Sequence, residues 1–144
     1  MTVPAWTLLG FSAWTIVLLV FTIGAYRWFH ILAGRVPISG FRADQPEGAD
    51  WYKRSMRAHA NCIENLPVFA AIVLALHVSA VRGAVVDNVS IGILAARVAQ
   101  SLVHACLPQT NAVVALRFSL LLIQLVGFLT LIVLIVRHAG PGAQ

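Results

Sequence analysis

The chain has 144 residues, of which 60% are hydrophobic and only 10% are charged, and its mean hydropathy is +0.86. Soluble domains carry roughly a quarter charged residues, so this composition excludes a soluble globular protein and indicates an integral membrane protein. The formal net charge of +5 does not indicate nucleic-acid binding, because most of the basic residues flank one loop and do not form a basic face.

Four apolar runs divide the chain, and each is long enough to cross a bilayer as a helix, which takes about 20 residues. The runs cover approximately residues 5–29, 55–81, 88–107 and 112–136. The links after the second and third runs are short, which makes neighbouring helices antiparallel. We therefore expect an all-α, integral membrane four-helix up-down bundle that uses residues 1–144 as a single domain, with its one longer loop at 30–54.

Basic residues cluster on one side of the expected bundle. Six of the ten Lys and Arg residues lie in or beside loop 30–54: Arg27, Arg35, Arg42, Lys53, Arg54 and Arg57. Only Arg82 and Arg137 fall near the opposite membrane face. Cytoplasmic loops carry an excess of Lys and Arg, so we expect loop 30–54 to be cytoplasmic and both termini to lie outside the cytoplasm. The same charges favour contact with anionic membrane lipids.

Three of the expected helices carry a stripe of polar side chains. In the second helix, the segment RAHANCIENLPVF places Arg57, Asn61 and Glu64 within an arc of about 60°, at about 100° per residue. The stripe of the third helix consists of Arg97, Gln100, Ser101 and His104, at positions i, i+3, i+4 and i+7, and that of the fourth helix consists of Arg117 and Gln124. A charge at mid-bilayer costs roughly 2.5–3.5 kcal/mol, so these side chains must face protein or a water-filled cavity.

The depths of these stripes match. Glu64 lies roughly 10 Å deeper than Arg57, at about 1.5 Å per residue. Arg97 likewise lies roughly 10 Å deeper than His104. Glu64 and Arg97 therefore share a level and are candidates for a pair, which would be either structural or part of a site. The excess of positive charge in the stripes predicts an anionic ligand that enters from the cytoplasm.

The two central motifs resemble those of a known family. RAHANCIENLPVF resembles the second-helix signature Arg-x-x-x-Asn-x-x-Glu, followed by a Pro and an aromatic residue, of the membrane-associated proteins in eicosanoid and glutathione metabolism (MAPEG). AARVAQSLVHACLPQTN resembles the family's third-helix segment, Arg-x-x-(His/Tyr)-x-x-x-(Tyr/His). The four-span layout and the long first loop are also similar. The resemblance, which is to prokaryotic-type members, covers nearly the whole chain.

This resemblance implies a homotrimer in a bacterial inner membrane that binds glutathione between subunits near the cytoplasmic face. It assigns glutathione contacts to six residues: Arg57, Asn61, Glu64, Arg97, Gln100 and His104. Arg suits the carboxylates of glutathione, Glu suits its ammonium group, and Asn suits a peptide group. The implied activity is that of a glutathione transferase or peroxidase that acts on lipophilic electrophiles or hydroperoxides, with glutathione as co-substrate and no metal.

The chain departs from the family pattern around the expected catalytic group. Asn65 follows Glu64 where the family's enzymes have Tyr, and His104 replaces a later Tyr. No basic residue occurs in 106–114, where the family's thiolate-stabilising Arg is expected. Arg117, together with His104, is therefore the candidate for the catalytic role, and whether the protein is an enzyme stays open at this point.

Two other functions are compatible with the sequence. A non-catalytic family member would bind a lipid or a protein partner in the same groove, and the missing Arg favours this alternative. A small proton-coupled transporter would use Glu64 and His104 to carry protons. Four-span exporters place their essential carboxylate in the first helix, which has none here, so we rank this function last. No CxxC motif or His/Cys cluster predicts a metal site.

Overall fold

The computed structural model describes residues 1–42 and 47–139, and within these two ranges the regular secondary structure is helical. The first membrane span is a helix of three consecutive parts: α1 (Val3–Leu18), a π-helical segment (Leu19–Gly24) and α2 (Ala25–Leu32). The remaining elements are a 3₁₀ turn (Ile38–Gly40), α3 (Asp50–Val78), α4 (Ala84–Cys106) and α5 (Asn111–Ala139). Residues 43–46 of the expected loop and residues 140–144 of the expected domain lie outside the described ranges.

Four helices in the described part of the chain are long and apolar enough to cross a membrane. They contain 30, 29, 23 and 28 residues in chain order, whereas the hydrocarbon core needs about 20. The links from α3 to α4 and from α4 to α5 are short, so these spans run antiparallel. The chain is thus an all-α, integral membrane four-helix up-down bundle, as its sequence predicts.

The two ends of the bundle differ in their connections. We call the end that carries the α2–α3 connection and the α4–α5 turn the loop face, and the end that carries Val3 and the α3–α4 turn the terminal face. The α2–α3 connection comprises residues 33–49, because α3 begins at Asp50, inside the loop that hydropathy assigns to 30–54. The carboxylate of Asp50 in the first turn of α3 interacts favourably with the helix dipole.

The core lies where α4 contacts α1, α3 and α5. Three aromatic rings from different spans form its centre: the centroid of Phe69 lies 6.1 Å from that of Phe11 and 5.9 Å from that of Phe128. The other buried apolar residues of this cluster are Leu18, Cys62, Ile72, Val73, Leu76, Val86, Ile93 and Leu131. A glycine lets α5 approach α4 closely, because a Cβ atom at Gly127 would lie 2.7 Å from Cγ1 of Ile93.

Aromatic side chains hold the start of α3 against α2. Tyr52 stacks on Tyr26 with ring centroids 4.2 Å apart, and its hydroxyl accepts a hydrogen bond from Nε of Arg27 at 2.8 Å. The Tyr26 hydroxyl accepts a further hydrogen bond from the amide of Ala49 at 3.2 Å. Because Tyr52 is buried, these contacts fix the rotation of α3 about its axis, and with it the face on which Arg57 lies.

Candidate functional site

A polar cleft opens at the loop face between α3, α4 and α5. It consists of two adjoining cavities of about 360 Å³ and 350 Å³, which share Arg57, His104, Gln109 and Arg117. The first cavity is also lined by Asn61, Gln100, Val114, Phe118 and Leu121, and the second by Asp50, Lys53, Arg54 and Pro108. Polar residues of three spans therefore face one opening, which we call the loop-face cleft.

His104 joins these three spans across the loop-face cleft. Arg117 on α5 donates a hydrogen bond from Nη1 to Nδ1 of His104 on α4 at 2.9 Å. On the other side of the imidazole ring, Nε2 lies 3.2 Å from the amide nitrogen Nδ2 of Asn61 on α3. His104 therefore holds Asn61 and Arg117 on two sides of the same opening.

Gln100 forms the floor of the cleft and is itself buried. Its Nε2 donates a hydrogen bond to the main-chain carbonyl of Arg117 at 3.0 Å. Its Oε1 accepts hydrogen bonds from Nη1 of Arg97 at 3.0 Å and from Nε2 of Gln124 at 3.1 Å. Gln100 thus links α4 to the backbone of α5 at Arg117, the residue whose side chain lines the cleft.

The loop-face cleft carries an excess of positive charge. Its lining includes four cations and one carboxylate: Lys53, Arg54, Arg57 and Arg117 against Asp50. Within the described residues, none of the four cations has a carboxylate within 4.0 Å. Guanidinium groups without a carboxylate partner are suited to bind carboxylates and other anions through paired hydrogen bonds. The arrangement therefore fits an anionic ligand.

Arg97 and Glu64 lie apart from the cleft, and the candidate pair between them is not formed. No ion pair within 4.0 Å joins them in the described part of the chain. Arg97 is 1% exposed and lies 5.4 Å from the ring centroid of Phe11, while its Nε and Nη2 have no hydrogen-bond partner among the described residues. Glu64 is exposed on the surface of α3. Similar depth does not bring the two together, because Arg97 turns towards α1 and Glu64 faces outward.

Several residues of the cleft have no part in the sequence motifs. In the sequence, Lys53 and Arg54 serve only as basic residues that indicate the membrane topology, yet both line the cleft. A signal for Lys53 exists in its spacing, because it lies one helical turn before Arg57 and continues the stripe that leads to Asn61. Gln109 lies in the α4–α5 turn, where there is no helical periodicity from which to predict the direction of its side chain. No group of three or more His, Cys, Asp and Glu residues in the described ranges is placed to hold a metal ion.

The fold and the cleft define a class: a multi-pass membrane protein with a cation-lined cleft at one membrane face. The model of the MAPEG family matches residues 3–137, which is nearly the whole chain. The chain therefore belongs to the MAPEG family, as its second-helix and third-helix motifs indicate. No curated protein and no solved structure matches the chain.

Proposed function

We propose that the loop-face cleft binds glutathione as a co-substrate, and that the protein conjugates it to lipophilic electrophiles or uses it to reduce lipophilic hydroperoxides. The observation that carries this proposal is the convergence of Arg57, Asn61, His104 and Arg117 on one cation-rich opening. Glutathione is an anionic peptide with two carboxylates, one ammonium group and a thiol. Membership of the MAPEG family supports this choice of ligand.

Two guanidinium groups have different roles in this proposal. Arg57 binds a carboxylate of glutathione through a bidentate contact. Arg117 stabilises the thiol of glutathione as the thiolate, which is the nucleophilic form. Asn61 meets a peptide group of the ligand. His104 keeps Arg117 in position, because Nδ1 accepts the hydrogen bond from its guanidinium group.

Three further residues contribute to the proposed glutathione site, either from outside the opening or from its floor. Glu64 is exposed on the surface of α3, where assembly into a homotrimer brings it to the ammonium group of a glutathione molecule bound between subunits. Gln100 contacts the ligand from the floor of the cleft. Arg97, to which the family resemblance assigns a glutathione contact, is buried, and in this proposal it acts through Gln100, whose Oε1 accepts a hydrogen bond from its Nη1 at 3.0 Å.

The second substrate reaches the thiolate from the bilayer. Phe118 and Leu121 line the cleft beside Arg117, and Phe118 is 65% exposed on the surface of α5, so a lipophilic molecule has an apolar path to the site. In conjugation, the thiolate sulfur forms a bond to the electrophilic carbon and the leaving group departs with the electron pair. The excess of basic residues around the loop face supports an orientation in a bacterial inner membrane with this face in the cytoplasm and both termini outside it.

Calorimetric titration of glutathione into the detergent-solubilised full chain tests the binding step. Arg57→Ala is expected to weaken binding about tenfold or more, because a charge-assisted bidentate contact is lost. Arg35→Ala removes an exposed cation elsewhere on the loop face and is the matched control. Failure of the folded wild-type protein to bind glutathione saturably would contradict the proposal.

Arg117→Ala tests the activation step separately from binding. The rate of conjugation of a chlorodinitrobenzene is expected to fall about a hundredfold, because the group that stabilises the developing anionic sulfur is lost. The ultraviolet absorbance of the bound thiolate is expected to disappear, while glutathione still binds through Arg57. Unchanged turnover in this variant would exclude Arg117 from catalysis.

A non-catalytic role is the second candidate, and the absence of any basic residue in 106–114 favours it. In this alternative the same cleft binds an anionic lipid or a partner protein and no thiolate is formed. Saturable glutathione binding together with a conjugation rate equal to that of the free reaction would favour this role over that of an enzyme.

A further inference from the structure

A second cation-lined cavity lies at the terminal face, on the opposite side of the membrane from the loop-face cleft. Of the ten Lys and Arg residues, all of which the structure describes, only Arg82 and Arg137 lie at this face. Arg82 is in the α3–α4 turn and Arg137 is in the last turn of α5. They are far apart in the sequence, yet both line a single cavity of about 470 Å³.

The lining of this cavity separates into a charged part and an apolar part. Its residues are Val81, Arg82, Gly83, Ala84, Val85, Val86, Leu134, Arg137 and His138. No carboxylate is among them, and Arg82 and Arg137 form no ion pair or hydrogen bond within the described ranges. Asp87 lines the neighbouring cavity together with Arg82, but it lies beyond the 4.0 Å of an ion pair. The two guanidinium groups are therefore available to an external anion.

The backbone beside these side chains adds further donors. α4 begins at Ala84 after Gly83, whose φ of 141° no other residue type adopts easily, and no side chain caps this end of the helix. The first amide groups of a helix have no acceptor within the helix. The amides of Ala84, Val85 and Val86 thus reinforce the attraction that Arg82 and Arg137 exert on an anion.

The apolar part of the lining selects among anions. Val85 is 59% exposed, and Leu134 lines the cavity from the membrane-spanning part of α5. A small hydrated anion gains nothing from contact with these side chains. An anion that carries an acyl chain places its charge between the two arginines and its chain along the apolar lining, which removes apolar surface from water.

We propose that this cavity binds the phosphate group of an anionic phospholipid, with Arg82 and Arg137 as the paired ligands of the phosphate and Val85 and Leu134 against its acyl chain. The shared chemistry is recognition of a phosphate by two guanidinium groups. The site is independent of the glutathione site, because it uses other residues at the opposite membrane face.

Native mass spectrometry of the full chain in detergent, titrated with dioleoyl phosphatidylglycerol, tests this site. The double variant Arg82→Gln/Arg137→Gln is compared with Arg35→Gln/Arg42→Gln, which removes the same charge from the loop face. We expect the first double variant to bind the lipid about tenfold or more weakly than wild type, because two charge-assisted contacts are lost. The second double variant should lose far less affinity than the first, because the loop-face charges attract anionic lipids only through general surface contact and do not line this cavity. Elution volume and thermal unfolding confirm that each variant is folded.

Two further measurements identify whether the bound phosphate belongs to a lipid or to a free anion. Dioleoyl phosphatidylcholine, whose headgroup is zwitterionic, is expected to bind weakly to every form. Inorganic phosphate is expected to displace phosphatidylglycerol poorly, because it lacks the acyl chain. Displacement by inorganic phosphate that depends on Arg82 and Arg137 would overturn the lipid assignment in favour of a free anion. Equal phosphatidylglycerol binding by wild type and the Arg82→Gln/Arg137→Gln variant, or equal losses in the two double variants, would overturn the site itself.

Discussion

Arg117 donates a hydrogen bond from Nη1 to Nδ1 of His104 at 2.9 Å, and this bond defines the hydrogen-bonding state of the imidazole ring. A guanidinium group only donates, so Nδ1 must carry a lone pair and the neutral ring carries its proton on Nε2. The structure places Nδ2 of Asn61 at 3.2 Å from Nε2, and a half-turn of this amide brings its oxygen to the same position, where it accepts the proton of Nε2. One neutral histidine therefore positions one group from α3 and one from α5.

Replacing His104 by phenylalanine should impair catalysis more than glutathione binding. The variant keeps a planar ring but removes the acceptor that holds Arg117. In the proposed mechanism, the guanidinium group is then free to leave the thiol of glutathione. We expect kcat for conjugation to fall about ten- to a hundredfold, with a much smaller change in KM for glutathione. Steady-state kinetics with a lipophilic electrophile measure both parameters.

His104→Gln tests whether the effect of His104→Phe comes from the loss of the hydrogen-bond acceptor for Arg117 or from the change in side-chain size. A glutamine side chain still offers an oxygen that accepts from Arg117, so it should restore a substantial part of the lost rate. His77→Phe, at an exposed position in the last turn of α3, is the control and should leave the rate unchanged. If His104→Phe retained wild-type kcat, His104 would have no positioning role.

Removing the polar end of Gln100 should destabilise the bundle. Gln100→Leu removes one hydrogen bond from the carbonyl of Arg117 and one from the amide of Gln124, which keeps its bond to the carbonyl of Leu120. It also removes the acceptor of Nη1 of Arg97, which is buried. Unsatisfied buried polar groups cost about 1–3 kcal/mol each in soluble proteins, and hydrogen bonds between membrane helices contribute about 0.6–2 kcal/mol. We expect a loss of about 1–2 kcal/mol in the free energy of unfolding, measured by denaturation in detergent.

Gln109→Leu is the matched comparison for Gln100→Leu, since Gln109 is exposed in the α4–α5 turn. It should change the free energy of unfolding by less than about 0.5 kcal/mol. Equal effects of the two substitutions would mean that the buried hydrogen bonds of Gln100 contribute nothing to stability.

Tyr52→Phe should loosen the attachment of α3 to α2 without removing the aromatic stack. The variant loses the hydrogen bond from Arg27 at 2.8 Å and keeps the ring that stacks on Tyr26. We expect a loss of about 1 kcal/mol in stability and faster proteolysis within residues 33–49. Trp28→Phe, at an exposed site in α2, should leave the cleavage rate unchanged, and an unchanged rate in Tyr52→Phe as well would contradict this account.

The sequence predicts the membrane fold well because two simple properties determine it. Long apolar runs require helices in a bilayer, since every backbone polar group must be satisfied within the helix, and short links require antiparallel neighbours. Hydropathy is weaker at the ends of helices. It begins the second run at 55, whereas α3 begins at Asp50, because a helix continues into the headgroup region without needing apolar residues.

The sequence predicts which helix faces are polar, but it does not predict which side chains meet. Periodicity places Arg57 and Asn61 on one face, and both line the cleft. It also places Glu64 near the level of Arg97, yet these two do not pair, because Arg97 turns towards Phe11 on the first span. Periodicity within one helix contains no information about how neighbouring helices are rotated against each other.

The close approach of α4 and α5 gives a last prediction, in which two identical substitutions have opposite effects. Gly127 and Gly92 both lie within helices, and replacing a helical glycine by alanine gains up to about 1 kcal/mol in helix propensity. A Cβ atom at Gly92 has no neighbour within 4 Å, so Gly92→Ala should stabilise the protein. A Cβ atom at Gly127 would lie 2.7 Å from Cγ1 and 3.1 Å from Cδ1 of Ile93, so Gly127→Ala should separate the two helices.

We expect Gly127→Ala to lose about 1–3 kcal/mol in the free energy of unfolding, which is typical of overpacking. Adding Ile93→Ala removes the atoms that clash with the new Cβ, so the double variant should be less destabilised than the sum of the two single variants. Denaturation of the four proteins in the same detergent measures this coupling. Because Gln100 lies on α4 and Arg117 on α5, a shift of these helices should also lengthen the hydrogen bond beneath the cleft. Additive effects, or a gain in stability from Gly127→Ala, would mean that the two helices are not in tight contact at this glycine.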